Sequence, residues 1–293
     1  MQTAVFSGLC TALITPFRDN EVDYKMLETL LQRQIDHGVD AVCVCGTTGE
    51  ASTLSDEEQL SVIAHSIQYC KGKIKVIAGT GSNNTKHAIT LSRVACSMGA
   101  DALLVVTPYY NKANTAGLIE HYTLVADSVD CPVILYNVPS RTGVDIPLEA
   151  YLTLSKHSNI AGVKEASGNL KKVNHILANC GSHFHVWCGN DDEIVAQMSL
   201  GATGTISVLS NLFPAQTLKM VRSCQHGEIS VAAKLQQKYL PLIDALFCDI
   251  NPIPAKAGMN LLGLDVGNPR LPLTSLCPEK MQTLENSMKC MTT

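Results

Sequence analysis

The chain carries little charge and no long apolar run, and each shortage removes a class of function. Charged residues make up 16% of its 293 positions and sum to a formal net charge of −4. Without a basic excess there is no electrostatic footprint for nucleic acid, and without an acidic run there is no solvating tail. The longest apolar stretches, such as 102–106 and 160–163, fall far short of the ~20 residues a membrane-crossing helix needs. No basic residue precedes the first apolar stretch at the N-terminus, unlike a secretory signal, so a cytoplasmic location is expected. No G-x-G-x-x-G follows the first strand-like segment, and Gly79-Thr80-Gly81-Ser82-Asn83-Asn84 has two glycines without a third. Dinucleotide binding is therefore disfavoured. No internal repeat or low-complexity segment is present.

Cysteine is the exception, with twelve residues. Disulfides are not expected without an export signal. A zinc site would need C-x₂₋₄-C pairs, and the only close pair is Cys43-Val44-Cys45. In a strand those two thiols would share a face, without partners to complete a cage. The cysteines are expected to be mostly small, buried, reduced hydrophobes.

What is present is an alternation. Short apolar segments at 9–14, 41–45, 75–78, 102–106, 133–136, 160–164, 185–188 and 203–206 read as strands. Helical patterns lie between them at 23–36, 56–70, 85–98, 115–128, 147–156, 169–179 and 191–199. Ser55 and Glu58 form a capping box, and Thr85, Thr115 and Pro147 mark further helix starts. This order predicts parallel βαβ units closed into a (β/α)₈ barrel. After Phe213 the strand signals stop, and helices are expected near 214–224, 228–247, 253–262 and 279–290. We expect a catalytic barrel over residues 1–224 and a small helical C-terminal extension over 225–293.

Active sites of such barrels lie at the C-terminal ends of the strands. Lys164 closes the apolar segment Asn159-Ile160-Ala161-Gly162-Val163-Lys164, so an amine points toward the barrel mouth. Loss of hydration favours the neutral amine, which can attack a carbonyl and form a Schiff base. The blander alternative is a lysine that snorkels or pairs with Glu165. Tyr136 ends the preceding strand, where a phenol can carry protons to and from a forming imine; a core tyrosine with a satisfied hydroxyl is the alternative. Gly46-Thr47-Thr48-Gly49-Glu50 follows a buried strand and offers backbone N–H groups and hydroxyls to an anion. It lacks the Gly-Lys-Ser/Thr ending of a P-loop, and a plain tight turn explains it too. Arg141, on the loop after the Tyr136 strand, is placed to hold a carboxylate bidentately or to make a surface ion pair.

Three segments together resemble the dihydrodipicolinate synthase family, within the pyruvate-dependent Schiff-base aldolases that include N-acetylneuraminate lyase. They are Gly46–Glu50, Tyr136-Asn137-Val138-Pro139-Ser140-Arg141-Thr142-Gly143 and Gly162-Val163-Lys164-Glu165-Ala166-Ser167-Gly168. Val106-Thr107-Pro108-Tyr109-Tyr110-Asn111 and Gly204-Thr205-Ile206-Ser207 extend the likeness, which runs from Gly8 through Asn251-Pro252-Ile253-Pro254-Ala255-Lys256. The resemblance implies that Lys164 condenses with pyruvate and that the resulting enamine attacks aspartate-4-semialdehyde. It implies a proton relay of Tyr136, Thr48 and Tyr110, with Tyr110 reaching into a neighbouring subunit. It also implies a pyruvate carboxylate site at Thr47 and Thr48, a backbone carbonyl from Ile206, and Arg141 on the semialdehyde carboxylate. No metal or organic cofactor and a homotetramer of two dimers are expected.

Many relatives carry a lysine-inhibition pocket. Ala51, Ser52, Asp56, Gln59, Asn83, His87 and Tyr109 fall at its positions, and Asp56, Gln59 and His87 depart from a pattern of two histidines and a glutamate. Weak or absent inhibition by lysine is expected, because an altered charge changes recognition of a zwitterion. Two rival activities compete with this one. A sugar-acid or N-acetylneuraminate aldolase would keep Lys164 and Tyr136 but not need Arg141. A metal-dependent barrel hydrolase would draw on His183, His185, Asp191, Asp192 and Glu193, of which the histidines share a strand face at the wrong end of the barrel and the acids open a helix. A barrel that binds without turnover has no residue in its favour.

Overall fold

The computed structural model describes residues 4–292. Eight parallel strands close into a barrel: β1 (Gly8–Ala12), β2 (Ala41–Val44), β3 (Lys75–Gly79), β4 (Ala102–Val106), β5 (Val133–Asn137), β6 (Ile160–Glu165), β7 (His185–Cys188) and β8 (Gly204–Ser207). Each strand pairs with its sequence neighbours, and β1 pairs with both β2 and β8, which closes the sheet. The (β/α)₈ barrel expected from the alternation is thus the fold.

The strands read as unbroken apolar runs because both of their faces are buried. One set of side chains, including Cys10, Ile77, Leu104 and Ile206, fills the barrel interior. The other set packs outward against the helices. Helix Tyr24–Asp36 shows how the second layer is built: Leu27, Leu30, Leu31 and Gln34 recur on one face and are buried. Asp23 caps it by accepting from the Met26 N–H. The Ser55–Glu58 capping box forms with both of its hydrogen bonds.

Two local features decide where the interior opens. Trp187 stacks on Phe6 with ring centroids 5.2 Å apart and donates its indole N–H to the Phe6 carbonyl. This aromatic pair fills the floor of the barrel. Gly162 has φ +151°, and a Cβ there would lie 1.9 Å from the His185 carbonyl oxygen. Only glycine lets β6 lie this close to β7. The β5–β6 register shifts beside it and then pairs Tyr136 with Lys164.

Helices Pro214–Gln225, Ile229–Leu246, Ile253–Leu261 and Pro278–Thr292 follow the last strand. Among the described residues no helix is long and apolar enough to cross a membrane. The sequence patterns missed the hairpin of Phe17–Arg18 with Glu21–Val22 and the helix Pro139–Thr142. Both are too short to show a period. One expectation is corrected: Cys43 and Cys45 do not share a face. The strand ends at Val44, and Cys45 takes a positive φ of 54°. Cys43 therefore lies in the interior cluster and Cys45 in the outer one. All twelve cysteines are free thiols, with Cys277 and Cys290 exposed.

Candidate active site

Tyr136 and Lys164 are partners in the β5–β6 register, so parallel pairing sets their side chains together at the open end of the barrel. Lys164 Nζ lies over the Tyr136 ring, 4.5 Å from its centroid. Both residues are buried, at 5% and 6% exposure. Burial pushes the neighbouring Cys43 thiol up to about 11, and the Lys164 ammonium opposes part of that rise. Cys10 and Asp191 feel the same charge.

The alternative of a Lys164–Glu165 pair is excluded by where Glu165 goes. Its carboxylate lies on the outer side of the sheet and accepts from Tyr151 Oη (2.8 Å), Asn137 Nδ2 (3.0 Å) and the Ser167 N–H (2.8 Å). Burial raises its pKa, and these donors hold the rise in check. Asn137 also donates to Asp145, which pairs with Lys172. The ends of β5 and β6 are thus tied together behind the lysine. Among the described residues Lys164 has no carboxylate partner.

The Gly46–Glu50 loop faces the same opening. It is bracketed by two non-glycine residues in the left-handed region, Cys45 at φ 54° and Glu50 at φ 55°. The Glu50 N–H donates to the Thr47 carbonyl and the Ala51 N–H to the Gly46 carbonyl. Among the described residues the N–H groups of Thr47 and Thr48 have no acceptor, the arrangement a carboxylate would complete. Thr48 Oγ1 accepts from Asn251 Nδ2 at 3.0 Å, so the Thr48 hydroxyl keeps its own proton to donate.

A cavity of about 410 Å³ opens above these residues, with Thr47, Tyr136 and Arg141 in its wall. Arg141 sits on helix Pro139–Thr142, and its guanidinium has no acceptor among the described residues. Lys164, Thr48 and Ile206 are not in the wall; Ile206 belongs to the interior cluster with Tyr136. Tyr110 stands apart: it is 90% exposed, with φ 72°. The residues of the metal-site rival do not converge. His183 precedes β7 rather than sharing its face and contacts the Ser155 carbonyl, while His185 begins the strand and contacts Thr203 Oγ1. Asp191 lies past the strand's other end, accepting from the N–H groups of Val208 and Leu209.

The chain matches the sequence model of the dihydrodipicolinate synthetase family over residues 5–291. It belongs to that family. The 4-hydroxy-tetrahydrodipicolinate synthase of Caldicellulosiruptor saccharolyticus is 48% identical to it, over 97% of this chain and 96% of the relative. The crystal structure of dihydrodipicolinate synthase from Aquifex aeolicus superposes with a TM-score of 0.96 at 41% identity, covering 98% of each chain. The lysine-bound enzyme from Cyanidioschyzon merolae also superposes at 0.96, with 36% identity over 99% of each chain.

In this family member the residues expected to form a lysine pocket mostly line the same cavity. Ala51, Ser52, Asp56, Gln59, His87 and Tyr109 are in its wall. Asn83 is not, although its carbonyl accepts from Asn111. His87 Nε2 lies 3.0 Å from both Asp56 oxygens, and its Nδ1 lies 3.2 Å from Ser82 Oγ. Gln59 is turned inward and donates to the Gly79 carbonyl.

The sequence reading gave no role to three residues that hold the anion loop from the extension: Asn251, Lys256 and Arg270. Lys256 Nζ lies 2.6 Å from Glu50 Oε1, both side chains 1% exposed. Burial pushes the Lys256 ammonium down to about 8 against the pull of Glu50. A charged residue in the otherwise apolar 252–259 stretch, inside the segment that carries the family likeness, was a sequence signal for Lys256.

Proposed function

We propose that this chain condenses pyruvate with L-aspartate-4-semialdehyde to give 4-hydroxy-tetrahydrodipicolinate, as a lyase of the diaminopimelate and lysine pathway. One observation carries the reading: an amine buried against a phenol ring, with no carboxylate partner among the described residues, in a barrel whose Gly46–Glu50 loop has N–H groups open to a carboxylate. The Lys164 amine adds to the pyruvate C2 carbonyl, and water leaves as the imine forms. Loss of a C3 proton gives an enamine, whose C3 attacks the semialdehyde carbonyl carbon. That oxygen takes a proton, and the semialdehyde's amine then displaces Lys164 at C2, closing the ring and freeing the enzyme. Tyr136 and Thr48 pass the protons, Thr47 and Thr48 hold the pyruvate carboxylate, and the Ile206 carbonyl faces the lysine.

Tyr110, exposed and in a strained conformation, completes the relay in a neighbouring subunit of a homotetramer. The barrel, residues 1–224, does the chemistry and residues 225–293 support it. No cofactor is needed beyond the covalent pyruvate adduct, and the enzyme works in the cytoplasm. Borohydride reduction in the presence of pyruvate, followed by peptide mass mapping, tests the assignment. The adduct should fall on Lys164; an adduct elsewhere, or none, sinks the reading.

Arg141 selects the second substrate. With no acceptor among the described residues its guanidinium is available to a carboxylate at the cavity wall. Arg141→Ala should raise the KM for the semialdehyde by about 10–100-fold, the worth of a charge-assisted hydrogen bond, and leave the pyruvate KM unchanged. Faster turnover of sugar aldehydes than of the semialdehyde by the parent enzyme would instead place the chain among the sugar-acid aldolases.

Inhibition by lysine should be weak or absent. Asp56 and His87 are each other's partners at 3.0 Å, and the Gln59 amide N–H is already engaged by the Gly79 carbonyl, so these groups are committed within the chain. Activity measured across a lysine titration decides this, and strong inhibition at low concentration would overturn it.

A further inference from the structure

We infer that Lys256, acting through Glu50, is a positioning residue for the pyruvate carboxylate loop, so that the C-terminal extension sets affinity for the first substrate. This rests on the reading of Gly46–Glu50 as the carboxylate site. Four observations carry it. Glu50 closes the loop in a left-handed conformation at φ 55°, which a non-glycine residue keeps only when its surroundings enforce it. Its two carboxylate oxygens are both held from the extension: Oε1 by Lys256 Nζ at 2.6 Å and Oε2 by the Arg270 N–H at 2.9 Å. Lys256 is itself fixed, with its ammonium 3.9 Å from the Phe17 ring centroid and near the Asn268 carbonyl. The Arg270 guanidinium grips the far end of the segment, donating to the Thr53 carbonyl and to Glu58.

The consequence is geometric. The loop's free N–H groups at Thr47 and Thr48 are useful only if they converge on one point, and the torsion at Glu50 fixes the direction in which the loop leaves that point. The same extension reaches Thr48 directly through Asn251. An ion pair placed only to join two parts of the fold would tolerate replacement by neutral side chains of similar shape without altering the site. A positioning pair would not.

The test uses the double substitution Glu50→Gln/Lys256→Met, which removes both charges together and leaves neither buried without its partner. The glutamine carbonyl can still accept the Arg270 N–H. In the full-length protein, half-saturating pyruvate should rise about tenfold, the equivalent of one weakened hydrogen bond to a charged group, while kcat stays within about twofold. Borohydride trapping at saturating pyruvate should still label Lys164. An unchanged pyruvate half-saturation in the folded variant overturns the inference, and so does a fall in kcat alone. If the double variant does not fold, Arg270→Met takes its place, with a smaller rise in the same constant expected and no change overturning it. Failure of the parent enzyme to trap pyruvate would refute the assigned chemistry; trapping by the parent with no change in the variants refutes only the brace.

Discussion

Lys164→Met should abolish turnover, by at least about 10³-fold in kcat, without loss of stability. The two halves of this expectation have separate physical grounds. On the proposed chemistry the Lys164 amine itself forms the covalent adduct, so its removal leaves no nucleophile in its place. Among the described residues Lys164 also has no carboxylate partner, and Glu165 is satisfied by Tyr151, Asn137 and Ser167. Deleting the charge therefore breaks no ion pair among the described residues, and buried Asp191, which feels that charge, keeps the Val208 and Leu209 N–H groups. Methionine matches the length of the stem and suits a site beside Tyr136 and above the thiol of Cys43. Steady-state kinetics with borohydride trapping checks the first half, and thermal unfolding of the variant checks the second. Residual activity above one part in about a hundred would remove Lys164 from the chemistry.

The contrast with Lys256 is instructive. Both lysines are buried, but Lys256 sits 2.6 Å from a buried carboxylate. Taking away its charge alone leaves Glu50 uncompensated, which commonly costs about 3–5 kcal/mol. Lys164 is thus expected to be dispensable for folding and essential for the proposed chemistry. The other is tied into the fold and acts on the chemistry only through the loop it holds.

The second large effect is at Tyr136. Tyr136→Phe should lower kcat by about 10²–10⁴-fold, the usual contribution of a positioned acid–base group. The phenyl ring remains, so its contact with the Lys164 amine is kept and only the hydroxyl is lost. Pyruvate should still be trapped on Lys164 at long incubation, more slowly than in the parent. Wild-type kcat in the phenylalanine variant would show that the hydroxyl carries no proton and that Tyr136 only packs.

Much of this was written in local pattern. A buried strand and an amphipathic helix each leave a short-period signature, so the alternation along the chain determined the barrel. The position of Lys164 at the end of an apolar segment, together with the barrel rule for active sites, made it the candidate nucleophile from local pattern alone. The glycines and threonines of the anion loop and the arginine after Tyr136 were likewise readable from their own segments. What the sequence could not decide were choices between partners. Lys164 had Glu165 beside it in the chain and Tyr136 beside it in space, and the alternation of side chains across β6 sent the carboxylate to the helices and the amine to the barrel. Cys43 and Cys45 looked coplanar until a positive φ ended the strand between them. The brace on the anion loop joins residues 203 and 220 positions apart, Thr48 to Asn251 and Glu50 to Arg270. Contacts over that separation have no period and no motif. They arise only when closure of the barrel brings the last helices back over its mouth.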